Sequence, residues 1–257
     1  RMAGLLDWDA IEDRGRSATV WRENSNVNEA VSEALRGFRL ERLRGQNTYV
    51  ELWVEKDALS GVLERVAWEY HVPVMVNRGY SSASAMRECA RRMFDNVLKY
   101  DSTEAVILYL GDLDPSGEDM VRDIRERIEM FANGGFDQES EYRENGLDDL
   151  FFSVEKLALN MDQVRQYNPP PNPAKITDSR ATDYIRKFGN KSWELDALQP
   201  AVISKLVTDE ILKHVDMDVW KQTKEEQEEA RKVLVTLGDR WDDVRPRVVE
   251  IMEQDGD

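Results

Sequence analysis

The alternation of apolar and polar positions divides the chain into short runs that read as strands and helices in turn. Val31, Ala34, Leu35, Phe38 and Leu43 fall near helical spacing and predict a helix over Asn28–Arg44, broken at Gly45-Gln46-Asn47. Thr48–Val54 is a near-continuous apolar run of strand length. Asp57–Tyr70 returns to helical spacing, with Leu59, Val62, Leu63, Val66 and Ala67 on one face. Pro73–Val76 predicts a second strand, a helix then reaches about Tyr100, and Ala105–Leu110 predicts a third strand. Asp114-Pro115-Ser116-Gly117 opens a helix that stops near Asn133-Gly134-Gly135. Strands separated by helices with short connections are the signature of a parallel sheet with right-handed crossovers.

Residues 136–148 read as an acidic loop, and Leu150–Val154 predicts a fourth strand. Asn168-Pro169-Pro170-Pro171-Asn172-Pro173 is expected to be irregular. From about Pro200 the chain reads as helical, ending in a hairpin over Lys224–Gln254 that pivots near Gly238. The organisation is therefore an N-terminal helical or linker segment (1–46), an α/β domain (47–160), and a C-terminal loop and helical extension (161–257). The opening at Arg1 runs into Met2-Ala3-Gly4-Leu5-Leu6 without a cap, which predicts a module upstream.

Composition narrows the function classes. The 257 residues carry a net charge of −16, which argues against nucleic-acid binding through a broad basic surface. A local basic strip or bridging metal ions remain compatible with it. Cys89 is the lone cysteine and His71 and His214 are the two histidines, which argues against a disulfide, a thiolate metal site, a zinc cage or a Ser-His-Asp triad. A reducing, cytoplasmic setting is expected. No apolar run approaches the roughly 18 residues of a membrane span, so no membrane partner is expected.

The candidate chemistry lies where apolar runs stop on acids. Thr48–Val54 is followed by Glu55-Lys56, and Ala105–Leu110 by Gly111-Asp112-Leu113-Asp114. Parallel sheets bind ligands at the carboxyl ends of their strands. Carboxylates converging there without Cys or His suit a hard cation such as Mg²⁺, with Mn²⁺ as substitute. Glu55, Asp112 and Asp114 are the candidate metal ligands. Asp114 also fits an N-cap, a role that leaves Asp112 and Glu55 unexplained. Lys56 is placed to steady a phosphate.

Arg78 and Ser81 leave the second strand at the same edge and suit a phosphate or, equally, a helix cap. Lys175 and Arg180, with Arg186 and Lys187 nearby, form a basic strip suited to a nucleic-acid backbone or an ordinary polar loop. Glu194 and Asp196 make a second acidic pair, beside Trp193. They would complete a two-metal site if the chain folds back over the sheet edge, and otherwise mark a helix start.

The set Glu55-Lys56-Asp57-Ala58, Gly79-Tyr80 and Asp112-Leu113-Asp114-Pro115-Ser116-Gly117 resembles the Toprim domain of topoisomerases, primases and several nucleases. In detail it is closest to the group of the topoisomerase VI A subunit and the meiotic double-strand-break protein. The resemblance covers roughly residues 48–160, with a weaker extension to about 215. It implies a Rossmann-like, mainly parallel sheet flanked by helices, and Mg²⁺-dependent cleavage of DNA, with RNA left open. Carried over by position, it makes Glu55, Asp112 and Asp114 the metal site. It also implies a homodimer or a partner subunit. The nucleophilic tyrosine of topoisomerase VI belongs to an upstream module not visible in this chain. Hydrolysis by water, as in Toprim nucleases, is therefore the leading expectation. The alternatives are the metal-binding part of a strand-breaking enzyme whose tyrosine module lies upstream, and a non-catalytic subunit of a DNA-processing assembly.

Overall fold

The computed structural model describes residues 21, 23–77, 79, 81–131, 151–174 and 181–254. The chain divides into two compact units. One comprises Leu40–Gln227, and the other comprises the residues up to Arg39 together with Glu228–Asp257.

The larger unit is α/β. Its four-stranded sheet is parallel throughout, in the order β2 (Val74–Val76), β1 (Thr48–Val54), β3 (Glu104–Leu110), β4 (Phe151–Ala158). β1 and β3 pair in register from Thr48 opposite Glu104 to Val54 opposite Leu110, so the two central strands end side by side. Every residue of β1 is buried, as befits a central parallel strand covered on both faces.

The intervening helices are α2 (Ser60–Tyr70), α3 (Ala83–Tyr100) and α4 (Pro115–Met130). α3 packs with α4, and α2 packs with α7 (Pro200–His214). Side-chain alternation separates the two faces. Glu51 of β1 reaches Arg92 of α3, and Lys156 of β4 reaches Glu118 of α4.

Glu51 is a full charge in the middle of an apolar strand. Arg92 binds it through a two-point fork at 3.2 and 2.8 Å, and Tyr49 Oη and Trp53 Nε1 each donate to it at 2.8 Å. Four donors satisfy a carboxylate that would otherwise be too costly to bury.

Two further short helices, α5 (Met161–Tyr167) and α6 (Ala181–Phe188), follow the sheet. Asn160 and Gln163 form a reciprocal capping box at the start of α5. The Pro-rich stretch is not wholly irregular. Asn172–Pro173 forms a two-residue strand, β5, antiparallel to β6 (Lys191–Ser192). A two-strand ribbon has free edges, where a proline's missing N–H is tolerated.

In the smaller unit, α1 (Val27–Arg36) is capped by Asn26 and ends at Gly37, short of the expected Arg44. The C-terminal helices α8 (Met217–Asp239) and α9 (Trp241–Gln254) meet at Arg240 rather than at Gly238. A Cβ on Gly238 would lie 3.1 Å from Ser32 Oγ and 3.3 Å from Ser32 Cα. That glycine serves the close approach of α1 to α8. Among the described residues no helix is long and apolar enough to cross a membrane.

Candidate active site

The carboxyl ends of β1 and β3 bring Glu55, Lys56 and Asp112 together. The ladder continues one step past the strands, with Glu55 N donating to Leu110 O at 2.9 Å. Asp112 N then donates to Glu55 Oε2 at 3.2 Å, and Tyr109 Oη lies 3.4 Å from the same oxygen. Gly111 makes room for this arrangement, because a Cβ there would meet Tyr109 Oη at 2.5 Å.

A return of the chain supplies the far wall. Leu113 and Trp193 exchange backbone hydrogen bonds at 2.9 and 3.0 Å. Tyr184 Oη lies 2.7 and 2.8 Å from Leu113 O and Lys191 O, so its one hydroxyl proton is shared between the two carbonyls. Leu195 N donates to Asp112 Oδ1 at 2.7 Å. This segment delivers Glu194 and Asp196 to the sheet edge, where both pair with Lys56, Asp196 at 3.0 Å. Lys56 Nζ also lies 3.2 Å from Asp112 Oδ1. Thus one ammonium serves three carboxylates.

The electrostatics follow from this geometry. Burial pushes the Asp112 carboxyl up to about 6. The Leu195 N–H and Lys56 pull it down, while Glu55 and Glu194 push it further up. Burial works against the Lys56 charge, but Glu194, Asp196 and Asp112 outweigh it and hold the ammonium protonated well above the usual lysine range. Burial and the neighbouring Glu55 and Asp112 keep the Tyr109 phenol protonated.

Asp114 lies on the same turn in a different role. Its Oδ1 accepts from Gly117 N at 2.7 Å and caps α4, with Pro115 at the first helical position. The turn is tight enough to need glycine at 117, where a Cβ would sit 2.2 Å from Asp112 O. Lys156, which the sequence pattern does not single out, donates to Asp112 O at 2.9 Å and to Glu118 at 2.6 Å. Its one visible signal is a lysine close to an apolar strand end.

Ser81 hydrogen-bonds Asn77 through its hydroxyl, and its carbonyl accepts from Arg127 at 2.7 Å. The cap of α3 is Ser82, which accepts from Ala85 N at 3.1 Å. Arg78, Lys175 and Arg180 lie outside the described residues. Arg186 is exposed and paired with Asp183 at 3.0 Å, while Lys187 borders an open groove of about 340 Å³ together with Pro115, Glu118 and Tyr184.

The donor chemistry of the edge fits Mg²⁺ or Mn²⁺. All the side-chain donors there are oxygens, and buried Asp112 is a carboxylate that a nearby cation would ionise. The contacts above occupy Oε2 of Glu55, Oδ1 of Asp112 and Oδ1 of Asp114, and the second oxygen of each carboxylate makes none of them. The three are not drawn into one tight cage, however. Among the described residues the one acid–histidine group whose ligand atoms all lie within 4.8 Å of one another is Glu155, Glu210 and His214.

No family model, curated protein or solved structure matches the chain.

Proposed function

We propose that this chain is a Toprim-like, divalent-metal-dependent phosphodiesterase that cleaves nucleic acid, DNA foremost. The observation that carries the reading is the meeting of Glu55, Lys56 and Asp112 at the ends of the two central parallel strands, with the Asp112 carboxyl raised to about 6. Placement at that edge is where parallel sheets work on ligands. The order of the surrounding motifs, Glu55-Lys56-x-Ala58 before Asp112-x-Asp114-Pro115-x-Gly117, adds the resemblance to the Toprim domain, in detail that of the topoisomerase VI A group.

In this reading Glu55 and Asp112 hold Mg²⁺ or Mn²⁺, Asp114 contributes from the adjacent turn, and Glu194 and Asp196 extend the acidic wall. The cation, when bound, supplies charge stabilisation at the phosphate oxygens and acidifies a water. Glu55 is oriented by the Asp112 N–H, and Asp112 by the Leu195 N–H. These backbone donors fix the carboxylates without demanding side-chain rearrangement, the preorganisation that electrostatic catalysis relies on. Lys56 is the resting counter-charge of Asp112, Glu194 and Asp196, and a cation bound by these acids competes with it. Released from them, its ammonium serves as a point charge for phosphate.

The test is conversion of supercoiled plasmid to nicked and linear forms in Mg²⁺, Mn²⁺ or EDTA, with a labelled RNA beside it. The reading predicts nicking that EDTA stops. A chain that cleaves equally well in EDTA has a different chemistry.

A further inference from the structure

The other face of the edge strand carries a second constellation. Within β4, Lys156 turns toward α4, so its neighbour Glu155 turns toward α7. Glu210 and His214 stand four residues apart on α7 and share one face of that helix. One ligand atom from each of Glu155, Glu210 and His214 lies within 4.8 Å of the other two. His214 Nε2 is buried and has no hydrogen-bond partner among the described residues. It faces Glu210 Oε1 at 3.8 Å, beyond hydrogen-bonding reach.

The neighbours leave donor capacity on both acids. Lys213 donates to the other oxygen of Glu210, Oε2, at 2.7 Å. Ser153 Oγ lies 3.4 Å from Glu155 Oε1. An open cavity of about 390 Å³ adjoins the group, bordered by Glu155, Asn160, Asp209 and Glu210.

We propose that Glu155, Glu210 and His214 form a transition-metal site of the Zn²⁺ class, separate from the acids at the sheet edge and independent of the phosphodiesterase reading. An imidazole among the donors favours Zn²⁺ and its neighbours over Mg²⁺. Two carboxylates take the place of further histidines, which is how a chain with so few His and Cys holds such an ion. Donors around one tetrahedral Zn²⁺ lie ~3.3 Å apart, so the group closes by ~1.5 Å at most, within the reach of two glutamate rotamers. Three protein ligands leave a position for water, and the adjoining cavity admits it.

The experiment is calorimetric titration of Zn²⁺ into the EDTA-stripped, buffer-exchanged chain, with Co²⁺ absorption reporting the ligand field. With excess Mg²⁺ present to hold the sheet edge, one equivalent is expected to bind with a tetrahedral Co²⁺ spectrum. His214→Ala and Glu155→Gln each weaken it at least about tenfold, and Asp112→Asn leaves it unchanged. Glu155 is exposed, so its variant keeps the test open should His214→Ala fail to fold. Absence of Zn²⁺ binding by folded wild type, or binding that survives both Glu155→Gln and Glu210→Gln, overturns the assignment. Loss of plasmid nicking leaves it untouched, because its readout is binding.

Discussion

The backbone N–H of Asp112 donates to Oε2 of Glu55 across 3.2 Å, tying the ends of β1 and β3 through a carboxylate. Neither residue is placed by its own strand alone. Glu55 holds position because Asp112 follows Gly111 in a turn that only glycine permits, and Asp112 holds position because Leu195 reaches back to it.

This coupling predicts the behaviour of Asp112→Asn. The amide oxygen still accepts from Leu195, while the buried charge is gone. In EDTA near neutral pH the variant should be as stable as wild type or more so by ~1–2 kcal/mol, with metal-dependent cleavage reduced by at least about a hundredfold. Thermal unfolding beside a cleavage assay reads both, and a clear loss of stability would speak against the burial argument.

The pH dependence has a definite sign. Asp112 takes up its proton at about 6 in the folded protein and near 3.8 when unfolded. Between those values the folded state binds more protons, so this group's contribution to stability falls as pH rises from 3.8 to about 6 and is constant above. The loss is about 1–3 kcal/mol. Urea denaturation across that window in EDTA should show the slope in wild type and its absence in Asp112→Asn. Cleavage should fall as pH drops below about 6, because protons displace the cation from the same carboxyl.

Lys56→Met leaves Asp112, Glu194 and Asp196 facing one another without their shared ammonium. Glu194 and Asp196 are half exposed, so water screens part of the repulsion. A loss of about 1 kcal/mol in EDTA is expected, and millimolar Mg²⁺ should restore more stability to the variant than to wild type. Equal Mg²⁺ shifts in the two proteins would mean that the cation does not compete with Lys56.

Gly117→Ala places a Cβ 2.2 Å from Asp112 O, and neither backbone can yield cheaply. A loss of ~2 kcal/mol and of cleavage is expected, since the clash shifts the candidate ligand itself. Unchanged melting would contradict the geometry of the turn.

Arg92→Ala strands Glu51 in the core with two neutral donors. The arginine is itself 38% exposed, so the loss is about 2–3 kcal/mol rather than the full cost of a dry pair. Arg92→Lys keeps the charge but not the fork and should recover part of it. Chemical denaturation of the two variants measures the difference.

What can be read from the sequence follows the range of the interactions involved. β1 and β3 are central parallel strands, so their apolar runs stand out, and the acids at their ends stand out with them. Glu55 and Asp112 are therefore legible as acids at one sheet edge, while the adjacency of their strands is a matter of long-range pairing. The role of Asp114 as the α4 cap is legible too, through Pro115 and Gly117. Glu51 is not: its partner Arg92 lies 41 residues on in the sequence, and the local pattern shows only an acid inside a strand. The return of Trp193 onto Leu113 shows only as an acidic pair beside an aromatic, because a two-bond bridge between distant loops leaves no periodic trace. The end of α1 differs from its expected place because Phe38 and Leu43 continue the helical spacing past Gly37, where the helix has already stopped. Glu210 and His214 carry a local signal, four residues apart on one helix, but nothing local joins them to Glu155, which lies on a strand far upstream.

The most direct measurement is the rate of supercoiled-plasmid nicking in Mg²⁺ by wild type, Glu55→Gln and Asp112→Asn, each shown to be folded by thermal melting. The account predicts nicking by wild type and none above background in either variant. Nicking at the wild-type rate by both folded variants would contradict it.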